Sequence, residues 1–99
     1  MLWTGKPLKG NTLAYKVEIH QAARKQILSF PREVQERIAL VIDSLAQNPR
    51  PFGCKKLRDT ELWRTRVGKY RIIYTIEDNT KLVQVLKVAT RRENTYKRL

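Results

Sequence analysis

Three arginines, Arg64, Arg66 and Arg71, lie near enough to one another in the chain to act on a single ligand. They belong to the run Leu62-Trp63-Arg64-Thr65-Arg66-Val67-Gly68-Lys69-Tyr70-Arg71-Ile72-Ile73-Tyr74, which reads as a tight β-hairpin. Gly68-Lys69 suits a two-residue type II′ turn, whose first central residue has positive φ and is by preference Gly. That turn sets Val67 opposite Tyr70 and Arg66 opposite Arg71. Side chains alternate along a strand, so Arg64 and Arg66 share a face and Arg71 joins them from the partner strand. Planar guanidinium groups grip phosphate oxygens bidentately. Crowded together without a ligand they only repel, so the pattern points to an anionic partner.

The elements that must hold this hairpin can be read along the chain. Residues 1–12 carry only scattered apolar positions and read as a flexible N-terminal arm. Leu13 to Ile19 alternates as a first strand, with Leu13, Tyr15, Val17 and Ile19 on one face. Gln21 to Ser29 reads as a short helix with His20 at its start. Phe30-Pro31 breaks it, and Pro31 fits the first position of a second helix. Val34, Ile38, Val41 and Leu45 keep helical spacing, and Glu33 and Glu36 suit the helix N-terminus. Asn48-Pro49 stops that helix. Arg50-Pro51-Phe52-Gly53 reads as a rigid loop. Cys54 to Leu57 is extended, Leu62 to Val67 and Tyr70 to Glu77 form the hairpin, and Lys81 to Ala89 is apolar enough for an interior strand.

The order is β-α-α-β-β-β-β. It predicts an α+β fold, with an N-terminal strand and a helical hairpin packed on a small, mostly antiparallel, twisted sheet. Residues 13–99 form one domain. The last turn bears on the arginine face. A two-residue Asp78-Asn79 loop sets Arg91 opposite to Arg71's face, and a three-residue Glu77-Asp78-Asn79 loop sets both on one face. Asn tolerates the left-handed region, which favours the three-residue loop.

Composition agrees with an anionic partner. The 99 residues carry 21 Lys+Arg against 9 Asp+Glu, a formal net charge of +12. Residues 55–99 hold 13 basic and 5 acidic side chains, and residues 1–54 hold 8 and 4. Charge of this size speaks to partners and not to fold. Nucleic acid leads, ahead of an acidic protein and an anionic membrane surface. A merely solvated basic surface fits less well, because the arginines fall at strand period and are not spread over a helix.

Other classes are excluded. No apolar run has the length of a membrane span, and the N-terminus lacks a signal core, so a cytoplasmic location is expected. One cysteine, Cys54, and one histidine, His20, are too few for a disulfide framework, a Cys/His metal centre or His-based nuclease chemistry. No Gly-rich phosphate loop is present. Neither metal nor cofactor is expected.

The first strand, helical hairpin, Asn48-Pro49-Arg50-Pro51, Lys55-Lys56-Leu57 and the Trp63–Tyr74 run together resemble the RelE/ParE superfamily of toxin–antitoxin toxins. The resemblance covers about Leu13 to Tyr96. It implies a small sheet with an N-terminal helical hairpin, a toxin activity and a cognate acidic antitoxin. RelE-type members cut mRNA in the ribosomal A site, whereas ParE-type members poison DNA gyrase without cutting RNA. RelE-type members carry an Arg after the last strand and a Tyr shortly beyond, and Arg91 and Tyr96 match those places. By the same resemblance Arg64, Arg66 and Arg71 fall on the basic strand positions of the RelE site, with Arg in place of Lys at the first two.

The implied chemistry is attack of the RNA 2′-OH on the scissile phosphate, without metal. Arg64, Arg66 and Arg71 clamp the phosphate, Arg91 stabilises or protonates the leaving oxygen, and Tyr96 stacks on a base. Arginine is a poor base, so a lysine such as Lys55, Lys56 or Lys69, the ribosome with water, or electrostatics alone completes the reaction. Lys55, Lys56, Lys69, Arg92, Lys97 and Arg98 are expected to bind RNA or ribosome. The plainer readings are Arg64 and Arg66 as solvated edge-strand charges and Tyr96 as a cap on the core. For the whole chain they are a gyrase-directed toxin or a simple basic nucleic-acid-binding module.

Overall fold

A computed structural model describes residues 14–90. The elements are β1 (Lys16–Ile19), α1 (Gln21–Leu28), α2 (Arg32–Ser44), β2 (Lys55–Lys56), β3 (Trp63–Val67), β4 (Tyr70–Glu77) and β5 (Leu82–Thr90). They form the expected α+β arrangement. One five-stranded sheet runs in the order β1-β5-β4-β3-β2. β2 to β5 pair antiparallel in succession, and β1 adds to β5 in parallel.

β1 and β2 are joined by the helical hairpin yet lie at opposite edges of the sheet. The helices must therefore cross one face from edge to edge. Five strands span about 19 Å at the usual spacing, and the 13 residues of α2 rise about 20 Å. The apolar stripes match that route. Ala23 and Ile27 from α1, and Ile38 and Ile42 from α2, bury against Val17, Val67, Tyr70, Ile72, Tyr74, Val83, Val85 and Val88. Burying each large aliphatic is worth about 1.5–3 kcal/mol. Among the described residues no helix packs on the opposite face.

Local bonds tie the hairpin in place. His20 is the N-cap of α1. Past the end of β1, the Val88 N–H is taken by Gln26 Oε1 at 2.8 Å, so α1 substitutes for a strand partner. Gln35 Nε2 donates to the Phe30 carbonyl at 2.9 Å and closes the turn between the helices. Pro31 sits one residue earlier than expected, as N-cap and not as first helical residue.

Four differences from the sequence reading bear on how the strands are placed. β1 starts at Lys16, because the Tyr15 N–H bonds to the Ala46 carbonyl at 2.8 Å; Leu13 lies outside the described residues. α2 ends at Ser44 instead of running to Asn48. Leu45 and Ala46 are buried there, and the Ala46 and Gln47 N–H groups bond three residues back, which tightens the chain out of the helix. The β4–β5 loop has four residues, Asp78 to Lys81, since Glu77 pairs with Leu82. Lys81, not Asn79, takes the left-handed conformation, at φ 55°.

The fourth difference sets the faces. The β4–β5 register shifts between Ile73 and Tyr74, leaving Leu86 as an extra residue on β5. The shift reverses parity, so Ala89 pairs with Arg71 where a regular ladder would place Val88. The β3–β4 turn is as expected. Val67 pairs with Tyr70 and Arg66 with Arg71. Gly68 has φ 60° and Lys69 is not among the positive-φ residues, as a type II′ turn requires. A Cβ on Gly68 would stand 3.1 Å from the Arg37 guanidinium, so the glycine also admits that side chain over the turn.

A polar brace closes the end of the sheet away from this turn. Arg50 bonds Asp78 with both guanidinium nitrogens, at 3.3 and 2.9 Å. The Tyr15 hydroxyl donates to the same carboxylate at 2.6 Å. The Arg50 guanidinium also lies 5.0 Å from the Trp63 ring centroid. Tyr74, fully buried, donates to the Pro49 carbonyl at 2.8 Å. The bond from Arg50, then that from Tyr15, holds the Asp78 pKa below its ordinary value. A carboxylate so lowered stabilises the fold above its unfolded pKa of about 3.9 and loses that contribution as pH falls through the folded value. Asp78→Asn should therefore unfold at lower urea than wild type at pH 7. The gap should close on acidification below about pH 4; a gap independent of pH would remove the charge from the explanation.

Candidate nucleic-acid interface

The face without helices is basic because of how the strands register. Lys55 pairs with Arg64, Arg64 with Ile73, and Ile73 with Lys87. Cross-strand partners point to the same side, so these four form one row across β2, β3, β4 and β5. The adjacent row is Arg66, Arg71 and Ala89. Five cationic side chains thus surround Ile73, on strands about 4.8 Å apart. Arg66 directly opposite Arg71 is a like-charge pair, which costs stability where opposite charges would add it.

Burial differs along these rows. Ile73 is only 2% exposed although it faces away from the helices, and Arg64 is 7% exposed. The Nε atoms of Arg64 and Arg71 are withdrawn from solvent. Arg64 is therefore not a solvated edge charge, and β3 is not an edge, since β2 lies outside it. Such burial fixes the side-chain stems and lowers the ordering cost of gripping an anion. Arg66 and Lys55 are exposed, and Arg71 and Lys87 half-buried. The ion pairs between described residues are Lys16–Glu18, Arg50–Asp78 and Lys56–Glu61, so Lys55, Arg66 and Lys87 stand outside them. Asp78, at the far end of β4 from Arg71, is held by Arg50.

The sequence-derived candidates divide. Arg64, Arg66, Arg71 and Lys55 come together on this face. Lys56 does not, since it pairs with Trp63 on the helix side and lies 3.9 Å from Glu61. Lys69 sits in the turn with its ammonium 5.8 Å from the Tyr70 ring centroid, again toward the helix side. Arg91, Arg92, Tyr96, Lys97 and Arg98 lie outside the described residues. Lys87 was not singled out in the sequence. Its parity depends on the extra residue Leu86, which the apolar pattern of β5 does not reveal.

Chemically, the described part of this face is cationic, with Ile73 as an apolar floor. Among the described residues no cluster of His, Cys, Asp or Glu could hold a metal ion. No helix among them is long and apolar enough to cross a membrane. His20, at the start of α1, pairs through its backbone N–H with Val85 and takes no part in the basic rows.

Comparisons with known proteins agree on the superfamily, with ParE in the description of the family model and RelE in the names of the relatives. The family model described as ParE toxin of type II toxin-antitoxin system matches residues 17–95. A sequence named as toxin RelE1 of Methanocaldococcus jannaschii is 30% identical over 89 residues, covering 86% of this chain and 98% of its own length. The archaeal RelE–RelB complex from Pyrococcus horikoshii superposes with a TM-score of 0.72 at 33% identity, over 79% of this chain and 96% of that one. The Mycobacterium tuberculosis toxin–antitoxin complex RelBE2 gives 0.69 at 25% identity, over 86% of this chain and 100% of that one.

If the rows form one electrostatic footprint, Lys87 shares it with the arginines. Lys87→Ala should weaken binding of a short single-stranded RNA. Each phosphate neutralised contributes about 0.7 to the log–log salt slope for single strands, and the slope should fall by about that amount. Lys56→Ala, whose side chain faces away, should leave the slope unchanged. Equal effects at both positions would mean that binding reads net charge and not this face.

Proposed function

The chain belongs to the RelE/ParE superfamily of type II toxin–antitoxin toxins, on its RelE-like branch, and on that premise we propose that it is a ribosome-dependent mRNA endonuclease. The observation that carries the reading is the pair of cationic rows, with Arg64 fixed by burial and Arg71 set opposite Arg66.

RNA supplies its own nucleophile. Cleavage requires the 2′-oxygen in line with the leaving 5′-oxygen and stabilisation of the charge that grows on the phosphorane. Arg64 and Arg71 hold the non-bridging oxygens, and Arg66 adds charge from the exposed side of the row. Arginines remain protonated, so they supply charge and position and do not accept the 2′-OH proton. Of the three lysines considered for proton transfer, Lys55 alone stands on the arginine face, beside Arg64. Arg91 is assigned to the leaving oxygen and Tyr96 to base stacking by family resemblance. Arg92, Lys97 and Arg98, outside the described residues, are assigned to RNA or ribosome binding on charge alone. Charge on a sheet face grips a phosphate without by itself setting the 2′-oxygen in line, which supports a requirement for the ribosome to present the mRNA.

The experiment is cleavage of mRNA on programmed ribosomes. Arg71→Ala should lower kcat by about 10²–10³, the cost of one lost donor to developing oxyanion charge, about 2.7–4 kcal/mol. Thermal unfolding should change little, because Arg71 lies off the helix-packed core. Intact mRNA beside DNA breaks and an SOS response would instead support the gyrase-directed reading. Normal growth on full induction would support a simple nucleic-acid-binding module.

The partner follows from charge and kinship. The solved relatives from Pyrococcus horikoshii and Mycobacterium tuberculosis are toxin–antitoxin complexes. A chain of net charge +12 fits an acidic antitoxin that wraps it with a helix or an added strand. The product of the neighbouring open reading frame should co-purify with the toxin and suppress cleavage. A toxin that stays monomeric and fully active beside that product would contradict this partner.

A further inference from the structure

Phe52 is the most exposed large apolar residue among those described, at 106% relative accessibility. A lone surface phenylalanine needs no explanation by itself. This one occupies a scaffold built to hold it out. The Cys54 N–H bonds to the Pro51 carbonyl at 3.0 Å, and Gly53 has φ 90°. Together these make Pro51-Phe52-Gly53-Cys54 a type II turn with Phe52 at its first corner. Pro49 and Pro51 restrict the approach. The Arg50 N–H bonds to Asn48 Oδ1 at 3.1 Å, and the Arg50 side chain is pinned by Asp78 and Trp63. The Pro49 carbonyl is held by Tyr74 from the core. The ring is therefore presented to water on a backbone with little freedom left to lose.

Its position relates it to the basic rows. The turn leads directly into β2, and Lys55, three residues on and at most about 10 Å away along the chain, begins the row Lys55–Arg64–Ile73–Lys87. An exposed aromatic ring within reach of a cationic row is the combination that binds single-stranded nucleic acid, with charge for the backbone and a flat face for a base. The other exposed large apolar residues, Leu28 and Leu40, lie on the helical hairpin and offer no ring.

We infer that Phe52 is a base-stacking contact for an mRNA nucleotide flanking the scissile phosphate, with Lys55 holding the intervening backbone. The inference rests on the reading of the basic face as an RNA site and extends it by one subsite. The RNA strand runs along the row from Lys87 across Arg64 to Lys55, and leaves the sheet at the β2 edge beside Phe52. A contact of this kind binds ground state and transition state alike, so it acts on KM and leaves kcat alone.

The test is steady-state cleavage on programmed ribosomes with Phe52→Ala, Phe52→Leu and Phe52→Tyr. Phe52→Ala should raise KM between about 5- and 100-fold, the worth of one stacked base, with kcat unchanged. Phe52→Tyr should keep the wild-type KM, and Phe52→Leu should behave as Ala. A second arm scans an abasic nucleotide through the positions flanking the cut. Wild type should lose affinity at one position, and Phe52→Ala should lose nothing further there, the signature of a coupled pair. A wild-type KM in Phe52→Leu, or no abasic position that couples to the ring, overturns the inference. So does loss of antitoxin binding in Phe52→Ala with KM intact, which would assign the ring to a protein interface. If wild type leaves the mRNA whole, the cleavage reading falls. The abasic scan then decides Phe52 on its own, read by binding of a short single-stranded RNA at low salt.

Discussion

The constraint from which the rest of the structure follows is that β1 and β2 stand at opposite edges of one sheet. The chain between them has to cross a face, and it does so as two amphipathic helices whose length matches the width of five strands. Most of the apolar core is thereby collected on one side. The other side buries Ile73 and Ala89 but otherwise carries charges which would be ruinous in a core. The division between a face that holds most of the core and a face that gathers the cationic rows comes from this one crossing.

The basic face is costly in isolation. Arg66 faces Arg71 across a strand pair, and Arg64 is nearly enclosed between Lys55 and Ile73. Enclosure and like-charge proximity both favour a bound anion, because an anion relieves the repulsion while the stems are already ordered. Ile73 gives the row an apolar floor, so charge is delivered at a surface of reduced polarity where it is worth more than in water.

Stability at the far end of the sheet has a different origin. Asp78 collects Arg50 and Tyr15, and Arg50 in turn lies against Trp63. One carboxylate in the β4–β5 loop thus links the start of β1, the loop after α2 and strand β3. This brace removes Asp78 from any role in neutralising Arg71, and it stiffens the loop that carries Phe52 toward β2. Structural and ligand-facing electrostatics are kept apart by the length of β4.

Much of this was legible in the residues. Gly68-Lys69 determines the β3–β4 turn, because positive φ at the first corner admits little else, and that turn alone sets Arg64, Arg66 and Arg71 on one side. The helical spacing of Val34, Ile38, Val41 and Leu45, the Pro31 start and the apolar Lys81–Ala89 run determine the element order and the α+β class. Tertiary structure decided what depends on contacts distant in sequence. The end of α2 was set by burial of Leu45 and Ala46 and by Tyr15 bonding back to Ala46. The four-residue loop at Asp78 to Lys81 and the extra residue Leu86 together decided which way Lys87 and Ala89 face. A bulge has no propensity signal in a strand rich in Leu and Val, because it is selected by the fit of two strands and a covering helix. Lys87 entered the basic row, and Lys56 left it, for that reason: parity along a strand is local, but register between strands belongs to the whole sheet.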